Sequence, residues 1–364
     1  MKSIYVHISF CKTICSYCDF CKMYYKEEWA SNYINELSCE IKSNYKNELI
    51  DTLYIGGGTP NSLNNCLLEQ LLKELSKIRL NKNYEYTIEC NIELLTIEQI
   101  ELFKKYGINR VSLGVQTINE KYLKFLNRNH TKEEVKEKIE LLKNNGITNI
   151  NIDLIYAIPN ETIEELSNDL DFIKSLNIPH VSTYSLMIEP NTVLYNNKVS
   201  NIDEEVDYNM YNYIINELNN YKHYETSNFA KEGFESRHNL NYWNNDHYYG
   251  FGLGASGYID NIRYDNTRSI NKYLNKEYCS NKNYLSKNET IENEFILGFR
   301  KINGINIDDF NSKYNLNVLE IPIVKELLER EKLIINDRNI MLNKNYLYIA
   351  NEILIDFLGV DYEK

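Results

Sequence analysis

Four cysteines fall within eleven residues, at Cys11, Cys15, Cys18 and Cys21, while Cys39, Cys66, Cys90 and Cys279 stand apart. The N-terminus runs straight into Ile4-Tyr5-Val6-His7-Ile8 without the basic region and cleavage site of a secretion signal, so such clustering favours a metal site over disulfides. Cys11, Cys15 and Cys18 suffice for a [4Fe–4S] cluster with one iron left open, where an exogenous molecule can bind and react. Adding Cys21 gives the alternative, a structural zinc site, although zinc cysteines usually come as separated pairs. A second feature is Ile55-Gly56-Gly57-Gly58-Thr59-Pro60, where missing side chains let the backbone approach a ligand, or simply make a tight turn. Polar residues then follow apolar runs at Glu89, Gln116 and Asp153. A parallel-strand core disfavours unpaired carboxylates, so their recurrence points to a ligand shared on one face.

These residues need strands to carry them. Short β-rich runs recur at Ile4–Ile8, Thr52–Ile55, Tyr86–Glu89, Arg110–Val115, Asn149–Ile155 and His180–Leu186. Helical patterns fill the gaps near Trp29–Tyr45, Leu67–Leu80, Ile97–Tyr106, Glu133–Asn144, Ile163–Leu176 and Glu204–Tyr221, and Gly107 and Gly146 fall just past two of them. Six βα units imply an α/β fold with a parallel sheet, open or closed into a complete or partial (β/α) barrel, and functional residues at the carboxyl ends of its strands. Residues 1–265 are expected to form this unit, with a linker over 266–285 and a small C-terminal domain over 286–364. Helices around Ile291–Phe299, Ile305–Tyr314 and Pro322–Arg330, a two-stranded piece at Leu333–Leu342 and a last helix from Tyr346 to Phe357 suggest a winged-helix-like domain serving as packing or cover.

Forty basic against fifty-two acidic residues give a net charge of −12, which opposes attraction to nucleic acid or anionic membranes. No apolar run reaches the length of a membrane span, so a cytoplasmic place is expected.

The Cys11-Lys-Thr-Ile-Cys15-Ser-Tyr-Cys18 spacing resembles the radical S-adenosylmethionine (SAM) superfamily. The resemblance implies a partial (β/α)6 barrel and a [4Fe–4S] cluster whose open iron is chelated by the amino and carboxylate groups of SAM. An electron from the reduced cluster would cleave SAM to a 5′-deoxyadenosyl radical, which calls for a donor of the flavodoxin or ferredoxin type. Gly56, Gly57, Gly58 and Thr59 resemble the turn that contacts the methionine amino group. By the same resemblance Glu89 and Gln116 would bind the ribose and methionine regions, Arg128 the carboxylate and Asp153 the adenosine portion. Tyr5 matches a family aromatic near the cluster and Tyr17 lies inside the cysteine loop, although either could be strand packing.

Segments from Tyr5-Val-His-Ile to Glu294-Phe-Ile-Leu-Gly-Phe-Arg300 resemble the family of oxygen-independent coproporphyrinogen oxidase and its haem-chaperone relatives over nearly the whole chain. Three features favour the chaperone branch. Phe20 stands where the oxidase has a further cysteine; only ten residues precede Cys11, where the oxidase has a longer segment; and His238-Asn239-Leu-Asn-Tyr242-Trp243 matches the HNxxYW motif linked to haem. The resemblance implies a protein of porphyrin metabolism that binds haem and passes it to an acceptor protein, without oxidase activity. The alternatives are oxidative decarboxylation of coproporphyrinogen or radical chemistry on another substrate. His238 is the expected axial ligand, with Tyr242 and Trp243 packing on the porphyrin, while His7 and His247 are weaker candidates. Two departures are Cys21 and Ser9, the latter standing where the family has proline.

Overall fold

The computed structural model describes residues 1–362. Six parallel strands form the centre: β1 (Ser3–Ile8), β2 (Ile50–Gly57), β3 (Leu80–Asn91), β4 (Arg110–Gln116), β5 (Asn149–Tyr156) and β6 (His180–Ser185). They coincide with the six expected strands and alternate with the expected helices, including Glu27–Asn44, Asn65–Leu75, Ile97–Lys105, Lys132–Asn144 and Ile163–Ser175. Local chemistry sets the helix ends. Thr131 with Glu134, and Thr162 with Glu165, form reciprocal capping boxes that satisfy otherwise orphaned amides, and Gly107 and Gly146 follow two helices at φ 83° and 85°.

Through most of their length the central strands alternate an apolar face with a polar one, with register shifts at Ile50/Thr52 and Gly114/Gln116. Ile4, Val6 and Ile8, Leu53 and Ile55, Val111 and Leu113, and Ile150 and Ile152 are fully buried and join one core with Leu68, Leu72, Ile100, Phe103, Ile139, Leu142 and Leu170 of the helices. Each such side chain contributes roughly 1.5–3 kcal/mol through burial. The residues between them, Ser3, Thr52, Arg110, Ser112, Asn151, Asp153, His180 and Ser182, face inward and bond to one another: Thr52 to Ser3 at 2.7 Å, Asn151 to Ser112 at 2.7 Å, and His180 to Asn151 at 2.6 Å. The barrel lumen is therefore a polar network, and the apolar core lies outside it, under the helices.

The sheet continues past both ends of this set. Strands β7 (Lys222–Glu225) and β8 (Asn228–Ala230) extend it beside β6, β9 (Tyr248–Phe251) runs parallel to β1, and β10 (Ser256–Ile259), β11 (Ile262–Asn266) and β12 (Cys279–Tyr284) form an antiparallel meander. The order is β12-β11-β10-β9-β1-β2-β3-β4-β5-β6-β8-β7, so β6 does not close on β1 and the barrel is partial.

Three expectations need correction. Residues 266–285 are not a linker: they carry a helix, Ile270–Leu274, and strand β12. Tyr273 anchors this segment, donating to Glu40 Oε2 at 2.5 Å and packing on Tyr33 at 5.1 Å. The two-stranded piece near the C-terminus gains a third strand, Ile305–Asn306, which pairs with Asn339–Leu342 beside Leu333–Asn336. The last helix is broken into Lys344–Tyr346, Ala350–Leu354 and Ile355–Phe357. Phe357 then packs on Phe295 at 4.6 Å, within an aromatic core that includes Phe299 and Phe310.

Candidate functional site

The cysteine loop springs from the end of β1, and a short parallel pair, Phe10–Cys11 with Met23–Tyr24, ties its two ends together. Ser16 fixes the middle by donating through its hydroxyl to the Phe125 carbonyl at 2.7 Å. Cys11, Cys15 and Cys18 consequently border one cavity of about 1100 Å3. The Thr59 hydroxyl reaches Cys11 Sγ at 3.4 Å, and Arg128 Nη1 reaches Cys15 Sγ at 3.6 Å. Burial pushes the Cys11 thiol up to about 11 and raises Cys18 as well. Without positive charge from a metal these groups remain thiols, so loading must release protons. Cys21 faces away, into a second cavity. The loop therefore presents three of its four thiols to one cavity and the fourth to another. Three thiols spread on one cavity wall, beside a glycine cradle and an arginine, fit a cluster with an open iron.

The glycine run meets this loop directly. A Cβ on Gly58 would lie 2.9 Å from Cys11 Sγ, and one on Gly56 would lie 2.8 Å from Glu89 Oε1, so both side chains depend on the missing carbons. Gly57 sits at φ 117°, where its amide donates to Glu89 Oε2 at 3.1 Å. Tyr54, which the sequence reading missed, donates to Glu89 Oε1 at 2.8 Å. Burial nonetheless pushes the Glu89 carboxyl up to about 7. Asp153 is raised too, chiefly by burial, although Asn151 Nδ2 donates to it at 2.8 Å and Ser112 Oγ at 3.3 Å.

Gln116 stands in the left-handed region at φ 62°, and its buried Oε1 has no partner. Arg128 donates to Asn91 Oδ1 at 2.9 Å and to the Gly114 carbonyl, which leaves Nε unmatched. Gly114 makes this packing possible, since a Cβ there would meet Gln116 Nε2 at 3.0 Å and Arg128 Nη2 at 3.2 Å. With Tyr17, Gly57, Gly58, Thr59, Glu89 and Asp153, these residues border the same cavity as the thiols. Unmatched polar atoms beside carboxylates that have no ion-pair partner among the described residues suit a polar, cationic ligand such as SAM. Tyr5 and Gly56 do not border it; Tyr5 contacts His7 Nδ1 at 2.9 Å and lines the second cavity.

The expected haem residues divide. His238 is 1% exposed and borders neither cavity. Its Nδ1 pairs with Thr52 Oγ1 at 2.7 Å and its Nε2 with the Tyr242 hydroxyl at 2.8 Å, while its ring stacks on Tyr54 at 4.9 Å. Burial pushes its pKa down to about 3. Both ring nitrogens are occupied, so the open imidazole expected from the sequence is not presented here. His238 and Asn239 lie in the first turn of the helix Arg237–Trp243, which Ser236 caps by accepting from the Asn239 backbone amide at 3.3 Å. Tyr242 and Trp243 border the second cavity, of about 470 Å3. His7 is likewise engaged, by Tyr5 and by the Cys21 carbonyl at 2.7 Å from Nε2. His247 lies edge-on to Tyr258 at 5.0 Å. The lumen partners Tyr54, Ser112 and Asn151 carried a signal that went unread: each lies two residues from another polar strand position.

Comparison with known proteins identifies the family. The family described as the radical SAM superfamily matches residues 5–173. The heme chaperone HemW of Lactococcus lactis subsp. lactis (strain IL1403) is 40% identical over 98% of this chain and 97% of its own length. HemW of Bacillus subtilis (strain 168) is 34% identical over 99% and 100%. Among solved structures, coproporphyrinogen III oxidase (HemN) from Escherichia coli superposes with a TM-score of 0.86 at 20% identity, over 98% of this chain and 90% of that one, a likeness of fold. With that identity and coverage in hand, the chain belongs to the HemW family of heme chaperones, within the radical SAM superfamily.

Proposed function

We propose that the chain is a haem chaperone that holds a [4Fe–4S] cluster on Cys11, Cys15 and Cys18, binds SAM in the same cavity, and passes haem to acceptor proteins. Near full-length identity of 40% to a heme chaperone carries the reading. Once bound, the cluster and SAM supply one-electron reductive chemistry. The chain's own residues position them: Glu89 and Asp153 present carboxylates, Gln116 and Arg128 present unmatched donors and acceptors, Gly57 and Gly58 admit the ligand close to the backbone, and Gly56 leaves the room that Glu89 fills. A flavodoxin- or ferredoxin-type donor would supply the electron. Eight free cysteines suit a reducing compartment, and we place the protein in the cytoplasm.

The oxidase alternative is weakened by charge. Besides the SAM residues, Glu189, Glu204, Asp207 and Glu352 border the main cavity, together with Arg300 and residues 347–351. Such a compartment opposes a substrate carrying four carboxylates. Anaerobic incubation of reconstituted protein with SAM, reductant and either coproporphyrinogen III or haem tests the reading. Stoichiometric haem uptake with coproporphyrinogen untouched is expected; protoporphyrinogen formed with turnover would overturn it.

A further inference from the structure

One charged side chain of the lumen stands outside its bonds. Arg110 on β4 is 2% exposed; among the described residues it makes no ion pair, and its buried Nε is unmatched. Its ladder neighbours, Thr87 on β3 and Asn149 on β5, leave Oγ1 and Oδ1 unmatched as well. The polar groups nearby satisfy one another without it. His180 pairs with Asn151 at 2.6 Å and with the Tyr224 hydroxyl at 2.8 Å, and His238 pairs with Thr52 and Tyr242. A guanidinium is always charged, and burying one unpaired works against folding, so a residue kept there for packing alone would be better replaced by an apolar one.

The next rung of the ladder places Glu89 opposite Ser112, and the one after it places Asp153 opposite Gly114. Both carboxyls border the main cavity, and Arg110 does not. Burial raises both, Glu89 to about 7, and the Arg110 charge opposes that rise in each. The imidazoles supply no positive charge here, because burial and then Arg110 itself hold His180 and His238 neutral. The other groups facing the two carboxyls are Tyr5 on β1, Tyr54 on β2, Tyr184 on β6 and Tyr242 on the helix Arg237–Trp243, all hydroxyls that burial keeps protonated. We infer that Arg110 is a positioning residue of the SAM site, an unpaired cation set one rung below Glu89 that keeps Glu89 and Asp153 available as carboxylates to a cationic ligand. The inference rests on the SAM-binding reading above.

The test is equilibrium binding of SAM to cluster-reconstituted, full-length protein at about pH 7 and about pH 9, in wild type, Arg110→Met and Arg110→Lys. Arg110 repels a cationic ligand at every pH, so the change of affinity with pH, and not its value at one pH, reads the effect. With Glu89 at about 7, its ionised share rises about twofold across that interval in wild type. Losing a unit charge from the next rung moves a buried carboxyl up by about one pH unit, so the gain in affinity should grow to about tenfold in Arg110→Met. The SAM amino group adds the same share to every variant, and Arg110→Lys should keep the wild-type dependence. Urea denaturation at about pH 6, where Glu89 is mostly protonated and offsets little of the Arg110 charge, gives the second readout. There Arg110→Met should be at least as stable as wild type, as removal of an unpaired buried charge predicts. Equal pH dependence in wild type and Arg110→Met, a Lys variant that follows the Met variant, or a Met variant less stable than wild type would each overturn the inference and leave SAM binding standing. Failure of wild type to bind SAM would instead remove that reading, and this one with it.

Discussion

Replacing Glu89 by glutamine separates the contribution of its charge from that of its shape. The carboxyl is pushed from 4.5 to about 7, first by burial and then by the Asp153 charge, against the opposing bonds from Tyr54 and Gly57. Between those two values the folded protein keeps a proton that the unfolded chain has released, so stability falls as pH rises through this window. At about 1.4 kcal/mol per unit, the cost is about 3 kcal/mol once pH passes 7. A cationic ligand that needs the ionised form meets it in about one tenth of molecules at pH 6 and about nine tenths at pH 8, so SAM affinity should rise about tenfold across that interval. Glu89→Gln should bind SAM about tenfold or more weakly at pH 8 and should lose this share of the pH dependence. Equilibrium binding to reconstituted protein at both pH values measures it. The SAM amino group titrates in both proteins, so the difference between the two slopes isolates Glu89. Equal slopes in wild type and variant would refute the reasoning.

Single changes of Cys11, Cys15 or Cys18 to alanine should abolish the brown absorbance of the reconstituted cluster, and retained four-iron content in any of them would remove that residue from the ligand set. Gly58→Ala places a Cβ 2.9 Å from Cys11 Sγ and 3.0 Å from the Ile8 and Phe10 carbonyl oxygens. It should cost about 1–3 kcal/mol and several-fold in iron content, which iron analysis at equal protein concentration would contradict if the contents matched. His238→Ala strips partners from Thr52 and Tyr242 in the lumen and should destabilise the fold by about 2–3 kcal/mol, so an unchanged denaturation midpoint would sink that account. Gly304→Ala should unseat the small C-terminal sheet, because its Cβ would lie 1.9 Å from the Ile340 carbonyl at a φ of 61°; a wild-type melting profile would refute this.

The six central strands could be read from the sequence because each carries an apolar row that a helix must cover. Strand β12 could not, since Cys279–Tyr284 is exposed along its whole length and has no apolar row to betray it. The short strands β7 and β8 hold their place through Tyr224 and Phe229, too little pattern to stand out. At the site, spacing located the thiols, and recurrence located Glu89 and Asp153. What the sequence could not supply was the set of hydrogen-bond partners. His238 reads as a free imidazole until Thr52 and Tyr242 are seen on either side of it, and Tyr54 reads as strand packing until its bond to Glu89 is seen.

The alternation of the central strands divides much of the chain's tolerance for change by parity. Between the register shifts at Ile50 and Gln116, the odd-numbered residues of β1, β3 and β5 and the even-numbered ones of β2, β4 and β6 face the lumen, because paired neighbours across each ladder share a face. On the lumen parity, a substitution at a position that borders the main cavity, such as Glu89, Ser112 or Asp153, alters what the protein binds, whereas one at Ser3, Thr52 or His180 disturbs the polar network; one residue along, it alters the apolar packing under the helices. New ligand chemistry can therefore be explored at the cavity-bordering positions of that parity, Tyr54, Glu89, Ser112, Asp153 and Tyr184 among them, without drawing on the apolar packing outside the lumen.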